Sequence, residues 1–483
     1  MSNAAAPPAP LAARTKIIAT VGPASSAEEK LRELVLAGVS VFRLNMAHGS
    51  RDAHAAQVDS IRRVSRDLGR PVGILVDLAG PKIRLGELPG GQLDLHEGVE
   101  VRFVRGEQAE NPGELVTTYK PLVDELAKGD RVVLADGTVT LRVVEKLRGA
   151  VRCIVEQDGV VRSRQGVNLP GVRLSTPALS ADDRENVTWL AQLEIDFVGL
   201  SFVRSVADVH GLKTLLHSWD SPARVIAKIE KPEALEALPG IVEAADGVMI
   251  ARGDLGVEID VAQVPMAQKR IIAVASRLQK PVITATQMLD SMQSSRYPTR
   301  AEASDVANAI IDGTDACMLS GETAIGRYPR AAVEMMSRIS LATEPYFADR
   351  PWDTSVEQPA AGLHANTAAA VQASSSMSRQ LGARLLVVAS RTGAAALAVS
   401  KQRNPLPVVG VSPSPVTLRQ MTLYWGIIPL EGAPTVAGDE LMQHLEAWGR
   451  PQGLVHSGDR VVFVSGHVPE EPVQQMLAVI EVP

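Results

Sequence analysis

Four charged residues stand at the ends of two apolar runs, and their types suit phosphate chemistry. Lys228 and Glu230 end the run "IAKIE", while Arg252 and Asp254 end "GVMIARGD". A strand buried on both faces reads as a continuous apolar run, so charges at its carboxyl end lie at the mouth of a sheet or barrel. Two carboxylates beside a lysine at such a mouth could hold a divalent cation next to an anionic substrate.

Short apolar runs alternate with stretches of helical periodicity, the pattern typical of βα units and a parallel sheet. Eight such runs begin at Lys16, Val39, Val72, Asp196, Arg224, Gly247, Val282 and Ala316. Eight units predict an α/β fold, a (β/α)8 TIM barrel whose active site lies at the carboxyl ends of its strands. The polar residues at those ends are Arg43, Asn45, Asp77, Ser201, Lys228, Glu230, Asp254, Thr286, Ser320 and Glu322. Any one of them could merely cap a helix, but together they favour one shared site.

Two further regions differ from the barrel pattern. In residues 87–172, apolar and polar residues alternate with a period of two, and the alternation is interrupted by Asp136-Gly137 and Asp158-Gly159. Both dipeptides favour hairpin turns. This pattern predicts an inserted antiparallel β-barrel domain, which could act as a lid over the active site. Residues 355–483 return to α/β alternation and predict a C-terminal open α/β domain. The barrel itself is expected at 14–86 and 173–345, after a disordered tail at 1–13.

Composition excludes several classes of protein. The chain has 483 residues, a net charge of −6 with both signs interspersed, and 3% aromatic residues, which argues against a nucleic-acid-binding surface. No apolar run approaches the ~20 residues that span a bilayer, so no membrane partner is expected. Two distant cysteines, Cys153 and Cys317, and the lack of a signal-peptide pattern favour a reducing, cytoplasmic location.

The motifs of the chain, taken in order, closely resemble those of the pyruvate kinases. They are "FRLNMAHG", "GPKIRLG", "GVNLPG", "IAKIE", "ARGDLGVEI", "ITATQMLDSM" and "RAEASDVANAIIDGTDACMLSGETAIGRYP". The resemblance covers nearly the whole chain. It implies transfer of a phosphoryl group from phosphoenolpyruvate to ADP, giving pyruvate and ATP in the last step of glycolysis. It also implies a Mg²⁺ cofactor (Mn²⁺ as an alternative), allosteric control and a homotetramer.

The resemblance also implies roles for individual residues. Lys228 matches the catalytic lysine, Arg43 a phosphate contact, and Glu230 and Asp254 the metal-binding carboxylates. Thr286, Ser320 and Glu322 match positions for carboxylate binding and proton relay, with the immediate proton donor left open. The remaining substrate contacts are Ser201 and Gly253, and the nucleotide contacts are Asn45, His48, Arg84 and Arg164. For His48, packing near a turn is an equal alternative.

Departures from the family pattern concern the monovalent ion. Many pyruvate kinases require K⁺, held partly by a serine where this chain has Ala47. Lys82 and Leu85 replace a glutamate and a threonine of those members, a combination that resembles K⁺-independent members. The hypothesis is that the Lys82 ammonium replaces the ion. The alternative is that Lys82 is merely solvated at the mouth.

Two other positions leave questions open. Gln165 stands where a lysine commonly precedes "GVNLPG", so the nucleotide contact there depends on the adjacent Arg164. In the C-terminal domain, Ser390, Arg391, Thr392 and Gly393 form a strand-to-helix turn that could hold an effector phosphate or be an ordinary helix cap. The identity of an effector is undetermined.

Two other functions fit the sequence less well. One is another phosphoenolpyruvate barrel, such as a dikinase fragment or a C–C lyase. Dikinases work through a phosphohistidine on a separate swivelling domain, which nothing in the sequence resembles. The inserted β domain and the nucleotide motifs argue against a lyase. A catalytically silent regulator would be expected to have lost Lys228, Glu230 or Asp254, and the chain retains all three.

Overall fold

A computed structural model describes residues 13–172, 174–347, 363–465 and 476–483. The predicted tail, except for residue 13, lies outside the described residues. So do residues 355–362, the first part of the predicted C-terminal domain.

Eight parallel strands form a closed barrel, as predicted. Numbered along the chain, they are β1 (Lys16–Thr20), β2 (Val39–Asn45), β3 (Gly73–Asp77), β12 (Phe197–Leu200), β13 (Arg224–Ile229), β14 (Gly247–Ala251), β15 (Val282–Ala285) and β16 (Ala316–Leu319). Their order around the barrel is β1-β16-β15-β14-β13-β12-β3-β2. Nearly every strand residue is buried, because side chains fill the barrel inside and helices cover it outside.

Helices surround this barrel and connect successive strands. They are α1 (Glu28–Ala37), α2 (Arg51–Leu68), α4 (Ala181–Leu190), α5 (Val206–His217), α6 (Pro232–Glu236), α7 (Leu238–Ala244), α8 (Arg252–Glu258), α9 (Val264–Arg277), α10 (Arg300–Asp312), α11 (Gly321–Ala324) and α12 (Pro329–Thr343). Within the described ranges, no helix has the length and apolar character needed to cross a membrane.

The inserted region between β3 and β12 forms a separate domain, called the lid below. Its elements are β4 (Gln92–Leu95), β5 (Glu100–Val104), β6 (Glu114–Leu115), α3 (Leu122–Glu125), β7 (Arg131–Leu134), β8 (Val139–Leu147), β9 (Ala150–Gln157), β10 (Gly159–Arg162) and β11 (Val167–Asn168). The first predicted hairpin is confirmed, since β7 and β8 pair antiparallel across Asp136-Gly137.

Two details of the lid differ from the sequence prediction. The turn at Asp158-Gly159 does not make a hairpin: β9 pairs with β5 and β8, whereas β10 pairs with β4 in a separate sheet. The main sheet, in the order β11-β7-β8-β9-β5-β6, is mixed because β5 and β6 run parallel. The lid nevertheless has its own buried core, which includes Cys153.

The C-terminal domain is an open sheet with helices, as predicted. It contains α13 (Ala365–Gln380), β17 (Leu385–Ala389), α14 (Ala394–Lys401), β18 (Val408–Val411), α15 (Pro415–Met421), β19 (Ile427–Pro429), α16 (Asp439–Gly449), β20 (Arg460–Ser465) and β21 (Leu477–Glu481). The sheet order is β19-β18-β17-β20-β21, and the antiparallel edge strand β21 was not predicted.

The C-terminal domain packs against the base of the barrel, where the strands begin. One buried apolar cluster includes Ile18 and Phe197 of the barrel interior together with Leu418 and Tyr424 of the C-terminal domain. The approach is close at Gly73, where a Cβ atom would lie 2.6 Å from Thr422 Oγ1. The opposite end of the barrel, the mouth, stays open toward the lid.

Candidate active site

Lys228 lies near the carboxyl end of β13 among oxygen atoms. Its Nζ donates to Ser201 Oγ at 2.7 Å, and it lies 2.7 Å from Glu230 Oε1 and 3.3 Å from Asp77 Oδ1. The side chain is only 10% exposed. Ser201 Oγ in turn donates to Leu78 O, which fixes the hydroxyl that Lys228 contacts. The ammonium is therefore held in one position by neighbouring strands.

Asp77 joins Lys228 to Arg43, a role that its position at the end of a strand did not predict. Its Oδ2 accepts hydrogen bonds from Arg43 Nε at 2.9 Å and Nη2 at 2.5 Å, and the carboxylate is 1% exposed. Arg43 also donates to Thr20 Oγ1. The signal that could have found Asp77 is the one that found Glu230: a carboxylate directly after a buried run.

Glu230 is oriented by an unusual backbone turn at Phe202. The Phe202 N–H donates to Glu230 Oε2 at 2.9 Å, and Phe202 has a φ of 57°, in the left-handed region. Gly80 lies against the Phe202 ring, where a Cβ atom would approach Cδ2 to 2.6 Å. Gly80 also has a φ of 67°, so a side chain here would be strained and would have to displace the Phe202 ring.

The charges at the mouth shift one another's pKa. Burial by itself would lower the pKa of Lys228, but Asp77, Glu230 and Asp254 outweigh it and the pKa is raised. Lys228 therefore remains a cation. Burial raises the pKa of Glu230; Lys228 opposes the shift, and the like charge of Asp254 adds to it. Asp254 itself lies exposed in the first turn of α8.

Thr286 follows β15 and faces the start of α8. Its Oγ1 accepts the Gly253 N–H at 2.7 Å and donates to Ala285 O at 2.6 Å. Thr286 and Gly253 were both predicted as substrate contacts, and the structure brings them together beside Asp254. A substrate carboxylate at this position would meet a hydroxyl and the amino end of a helix.

Ser320 and Glu322 follow β16, but their side chains do not bond to each other. Glu322, 1% exposed, accepts the Leu289 N–H at Oε1 and the Ser320 N–H at Oε2. Burial raises the pKa of Glu322, and these backbone donors oppose the shift. Ser320 Oγ is buried and has no hydrogen-bond partner within the described part of the chain. The hydrogen-bonding capacity of this hydroxyl is therefore not used by any of the described residues.

A cavity of about 390 Å³ lies between the barrel mouth and the lid. Its lining includes Lys82, His48, Arg84, Arg164 and Asp254. Lys82 is exposed along the cavity, yet partial enclosure lowers the pKa of its ammonium; Asp254 opposes this effect and Lys228 adds to it. Positively charged side chains thus outnumber negatively charged ones along the cavity next to Asp254, and such a lining suits a polyphosphate.

The predicted nucleotide residues divide into two groups. Arg84 Nη1 donates to Arg164 O, and Arg164 pairs with Glu87 at 2.7 Å on the exposed rim, where the Arg164 side chain is 79% exposed. Gln165 Oε1 accepts the Arg162 N–H. Toward the barrel, His48 is exposed on the cavity wall.

Asn45 stands at the end of β2, the strand that also carries Arg43. Its Oδ1 accepts the Ala47 N–H at 3.1 Å, and the residue is partly buried. The Asn45 side chain therefore shapes the turn that leads from β2 toward His48.

The turn at residues 390–393 lies elsewhere, at the base of the barrel. Arg224, the first residue of β13, donates from Nη2 to Thr392 O at 2.7 Å, and Thr417 Oγ1 donates to Arg391 O at 2.9 Å. Gly393 has a φ of 83° and precedes α14. Ser390 is buried. This turn is separate from the barrel mouth, although β13 carries residues that contact both.

Comparisons with known proteins agree along the chain. A family model described as the pyruvate kinase barrel domain matches residues 12–333, and one described as the pyruvate kinase alpha/beta domain matches residues 368–480. A pyruvate kinase of Staphylococcus saprophyticus is 40% identical over 466 residues, covering 94% of this chain and 78% of its own. One from Geobacillus stearothermophilus is 40% identical over 456 residues, covering 94% and 77%. The crystal structure of a pyruvate kinase from Cryptosporidium parvum superposes with a TM-score of 0.90 at 30% identity, covering 98% of this chain and 96% of that one.

Proposed function

This chain belongs to the pyruvate kinase family, and from that premise we propose how its residues perform the phosphoryl transfer from phosphoenolpyruvate to ADP. The proposal has three parts: a Mg²⁺ ion bound by Glu230 and Asp254, a fixed ammonium at Lys228, and a tethered ammonium at Lys82 in place of K⁺. The observation that supports it most is the buried network joining Arg43, Asp77, Lys228 and Glu230.

The network supplies charge at fixed positions, which is what phosphoryl transfer needs most. Arg43 offers a guanidinium fork to phosphoryl oxygens, and Asp77 holds that fork from behind. Lys228 would face the phosphoryl group and the enolate oxygen that forms as it leaves. Because Lys228 is fixed by three oxygens before substrate binds, little reorganisation is needed during the reaction.

The carboxylates Glu230 and Asp254 fit a divalent cation. Burial and the neighbouring Asp254 raise the pKa of Glu230, so a cation between the two would relieve a repulsion that already exists. Mg²⁺ typically takes one or two protein carboxylates and completes its shell with water and substrate oxygens. When bound, it would neutralise phosphate charge during transfer. Mn²⁺ has a similar preference for oxygen ligands.

The second half of the reaction protonates the enolate at carbon. Thr286 and Gly253 would hold the substrate carboxylate, while the hydroxyls of Thr286 and Ser320 would hold or deliver the proton. Ser320 Oγ is buried without a partner among the described residues, which supports a role in contact with substrate or water. Glu322 would act indirectly, because its two oxygens fix the backbone at Leu289 and Ser320.

Lys82 would replace the monovalent ion that many family members need. It lines the cavity beside Asp254, and Ala47 offers no side-chain oxygen for a cation. Asn45, His48, Arg84 and Arg164 would contact the nucleotide, with Arg164 released from Glu87 when ADP enters. The turn at 390–393 is proposed as an effector-phosphate site, the assembly as a homotetramer and the location as cytoplasmic, on the basis of the family.

The test of the ion replacement compares wild type with Lys82→Met in a coupled assay. The buffer contains Mg²⁺ but no K⁺ or other monovalent metal cation, and Lys128→Met, an exposed lid lysine, is the matched control. We expect wild type and the control to be fully active and Lys82→Met to lose at least about tenfold in kcat. Turnover of wild type only after K⁺ is added would contradict the proposal.

A further inference from the structure

The turn after β15 has a strained backbone. Thr286 and Gln287 follow each other with φ values of 68° and 53°, both in the left-handed region. For a β-branched residue such as threonine this conformation is a genuine outlier, and a strained backbone of this kind is energetically unfavourable. Such a turn persists only where neighbouring groups hold it in place.

Arg252 is the side chain that holds this turn through hydrogen bonds to its carbonyls. Its Nη2 donates to Thr286 O at 2.8 Å and lies 3.4 Å from Gln287 O, so one guanidinium contacts the carbonyls of both strained residues. The Arg252 side chain is 10% exposed. Two carbonyls held by one planar group define the direction of the peptide between them, which a flexible ammonium could not do.

Asp305 of α10 fixes Arg252 from the other side. Its carboxylate lies 2.7 and 2.8 Å from Arg252 Nη1. Gln268 of α9 adds a longer contact of 3.4 Å to the same nitrogen. Arg252 thus connects two barrel helices to the turn at the mouth, and an ordinary surface ion pair would not require this burial or these carbonyl contacts.

The next residue, Gly253, holds the same turn through the threonine hydroxyl. Its N–H donates to Thr286 Oγ1 at 2.7 Å, and a Cβ atom on Gly253 would lie 3.4 Å from that oxygen. Residues 252 and 253 therefore contact Thr286 at its carbonyl and at its hydroxyl. The position of the hydroxyl depends on both contacts.

We propose that Arg252 and Asp305 are positioning residues for the Thr286 hydroxyl, and through it for protonation of the enolate. The inference rests on the proposed role of Thr286. In this step a C–H bond forms at the enolate carbon from the enolate electron pair. An O–H bond breaks at the donor, which regains its proton from solvent. Loss of the Arg252–Asp305 pair slows this step because the turn relaxes and the hydroxyl moves.

The experiment isolates the proton step from phosphoryl transfer. The methyl protons of pyruvate are exchanged in D₂O with Mg²⁺ and ATP and followed by NMR, alongside kcat and the KM values for phosphoenolpyruvate and ADP. The variants are Arg252→Lys, which keeps the charge but loses the fork, and the milder Asp305→Asn. Glu334→Gln, which breaks an exposed pair with Arg330 on the adjacent helix α12, is the control.

We expect Arg252→Lys to slow the exchange roughly 10- to 100-fold, since small misplacements of reacting groups have effects of that size. Asp305→Asn should slow it less, and the KM for ADP should stay unchanged in both. Adding Gln287→Asn to Arg252→Lys should restore part of the exchange rate, because asparagine adopts the left-handed conformation more readily. A merely structural role for Arg252 predicts no such rescue.

The outcomes separate two failures. Thr286→Val is measured in parallel; if it leaves the exchange rate unchanged, the proposed role of Thr286 is wrong. If Thr286→Val slows the exchange but Arg252→Lys and Asp305→Asn do not, the positioning inference is overturned. It is equally overturned if Gln287→Asn gives no rescue.

Discussion

Both ends of the barrel carry buried carboxylates, but their partners differ. At the base, an aspartate stands directly before each of three strands: Asp196 before β12, Asp246 before β14 and Asp315 before β16. Each accepts a backbone N–H from the start of the adjacent strand, at 2.8 Å from Ile74, Val225 and Val282 respectively. The three aspartates thus set the register between neighbouring strands.

The C-terminal domain supplies cations to two of these aspartates. Arg419 donates to Asp196 at 2.8 Å, and Lys401 donates to Asp315 at 2.6 Å. Asp246 is instead paired with Lys213 of the barrel itself and is 30% exposed. The ion pairs at the base therefore also fasten one domain to the other.

At the mouth, the same residue types leave groups available to a ligand. Asp77 faces the side chains of Arg43 and Lys228 instead of a strand N–H, and Asp254 and Lys82 remain exposed. The difference shows that the role of a buried charge depends on its partners. A carboxylate bonded to backbone N–H groups stabilises the fold, whereas one that holds cationic side chains can position them for a ligand. For the aspartates of this barrel, a position before or after the strand separates the two cases.

The largest expected effect lies at the mouth. Lys228→Met should lower kcat by about 10³-fold or more, because it removes the fixed cation that we propose lies beside the reacting phosphoryl group. The matched base variant, Lys213→Met, should keep kcat within about threefold, since a partly exposed ion pair contributes little. Steady-state assays measure both, with circular dichroism to verify folding. Equal losses in the two variants would break the comparison.

Substitutions at the base of the barrel should change stability more than activity. Asp315→Asn leaves Lys401 and Arg403 buried beside a neutral amide, which should lower the free energy of unfolding by about 3–5 kcal/mol. Asp246→Asn, at the more exposed site, should cost about 1 kcal/mol or less. Thermal unfolding measures both, and kcat well below the melting temperature should change little. Loss of activity at an unchanged melting temperature would contradict this assignment.

A smaller effect concerns pH. Burial lowers the pKa of Lys16 to about 8, although Glu344 opposes the shift, and Lys16 Nζ donates to Ile427 O at 2.6 Å in the C-terminal domain. Below pH 8 Lys16 is protonated in both the folded and unfolded chain. Between about pH 8 and 10.5 only the unfolded chain keeps the proton, so the free energy of unfolding rises with pH.

The difference between wild type and Lys16→Met isolates this contribution. From pH 7.5 to 10.5, the free energy of unfolding of wild type should rise relative to that of Lys16→Met by at most about 3 kcal/mol. Lys401, whose pKa burial also lowers to about 8, is present in both proteins and cancels. A difference in melting temperature that stays constant with pH would sink the prediction.

The sequence predicted the barrel well because each strand is an apolar run and seven of the eight end in polar or charged residues. The same pattern located Lys228, Glu230, Asp254 and Thr286 at one mouth. It could not show that Asp77 links Arg43 to Lys228, since this pairing depends on which strands are adjacent in the closed barrel. The sequence marked Arg252 as a strand-end charge but could not show its pairing with Asp305, which lies 53 positions away.

The errors have similar causes. The turn at Asp158-Gly159 has the composition of a hairpin, but β10 pairs with β4, a long-range pairing that local sequence cannot show. The edge strand β21 is a clear apolar run, "LAVI" before Glu481, and it is missing from the sequence prediction although it is as long as several strands that were predicted. The three base aspartates were visible in "IDFVGL", "ADGVMI" and "TDACML", but a charge before a strand was not read as a signal.

The two cysteines give the molecule a pair of internal reporters. Cys153 is enclosed in the lid core and Cys317 in the barrel core, and burial raises the pKa of both thiols to about 12. A thiol reagent needs both access and thiolate, so each cysteine should become reactive only when its own domain opens. Alkylation followed by peptide mass spectrometry would therefore measure the rate at which the lid opens separately from the rate for the barrel, without an added label.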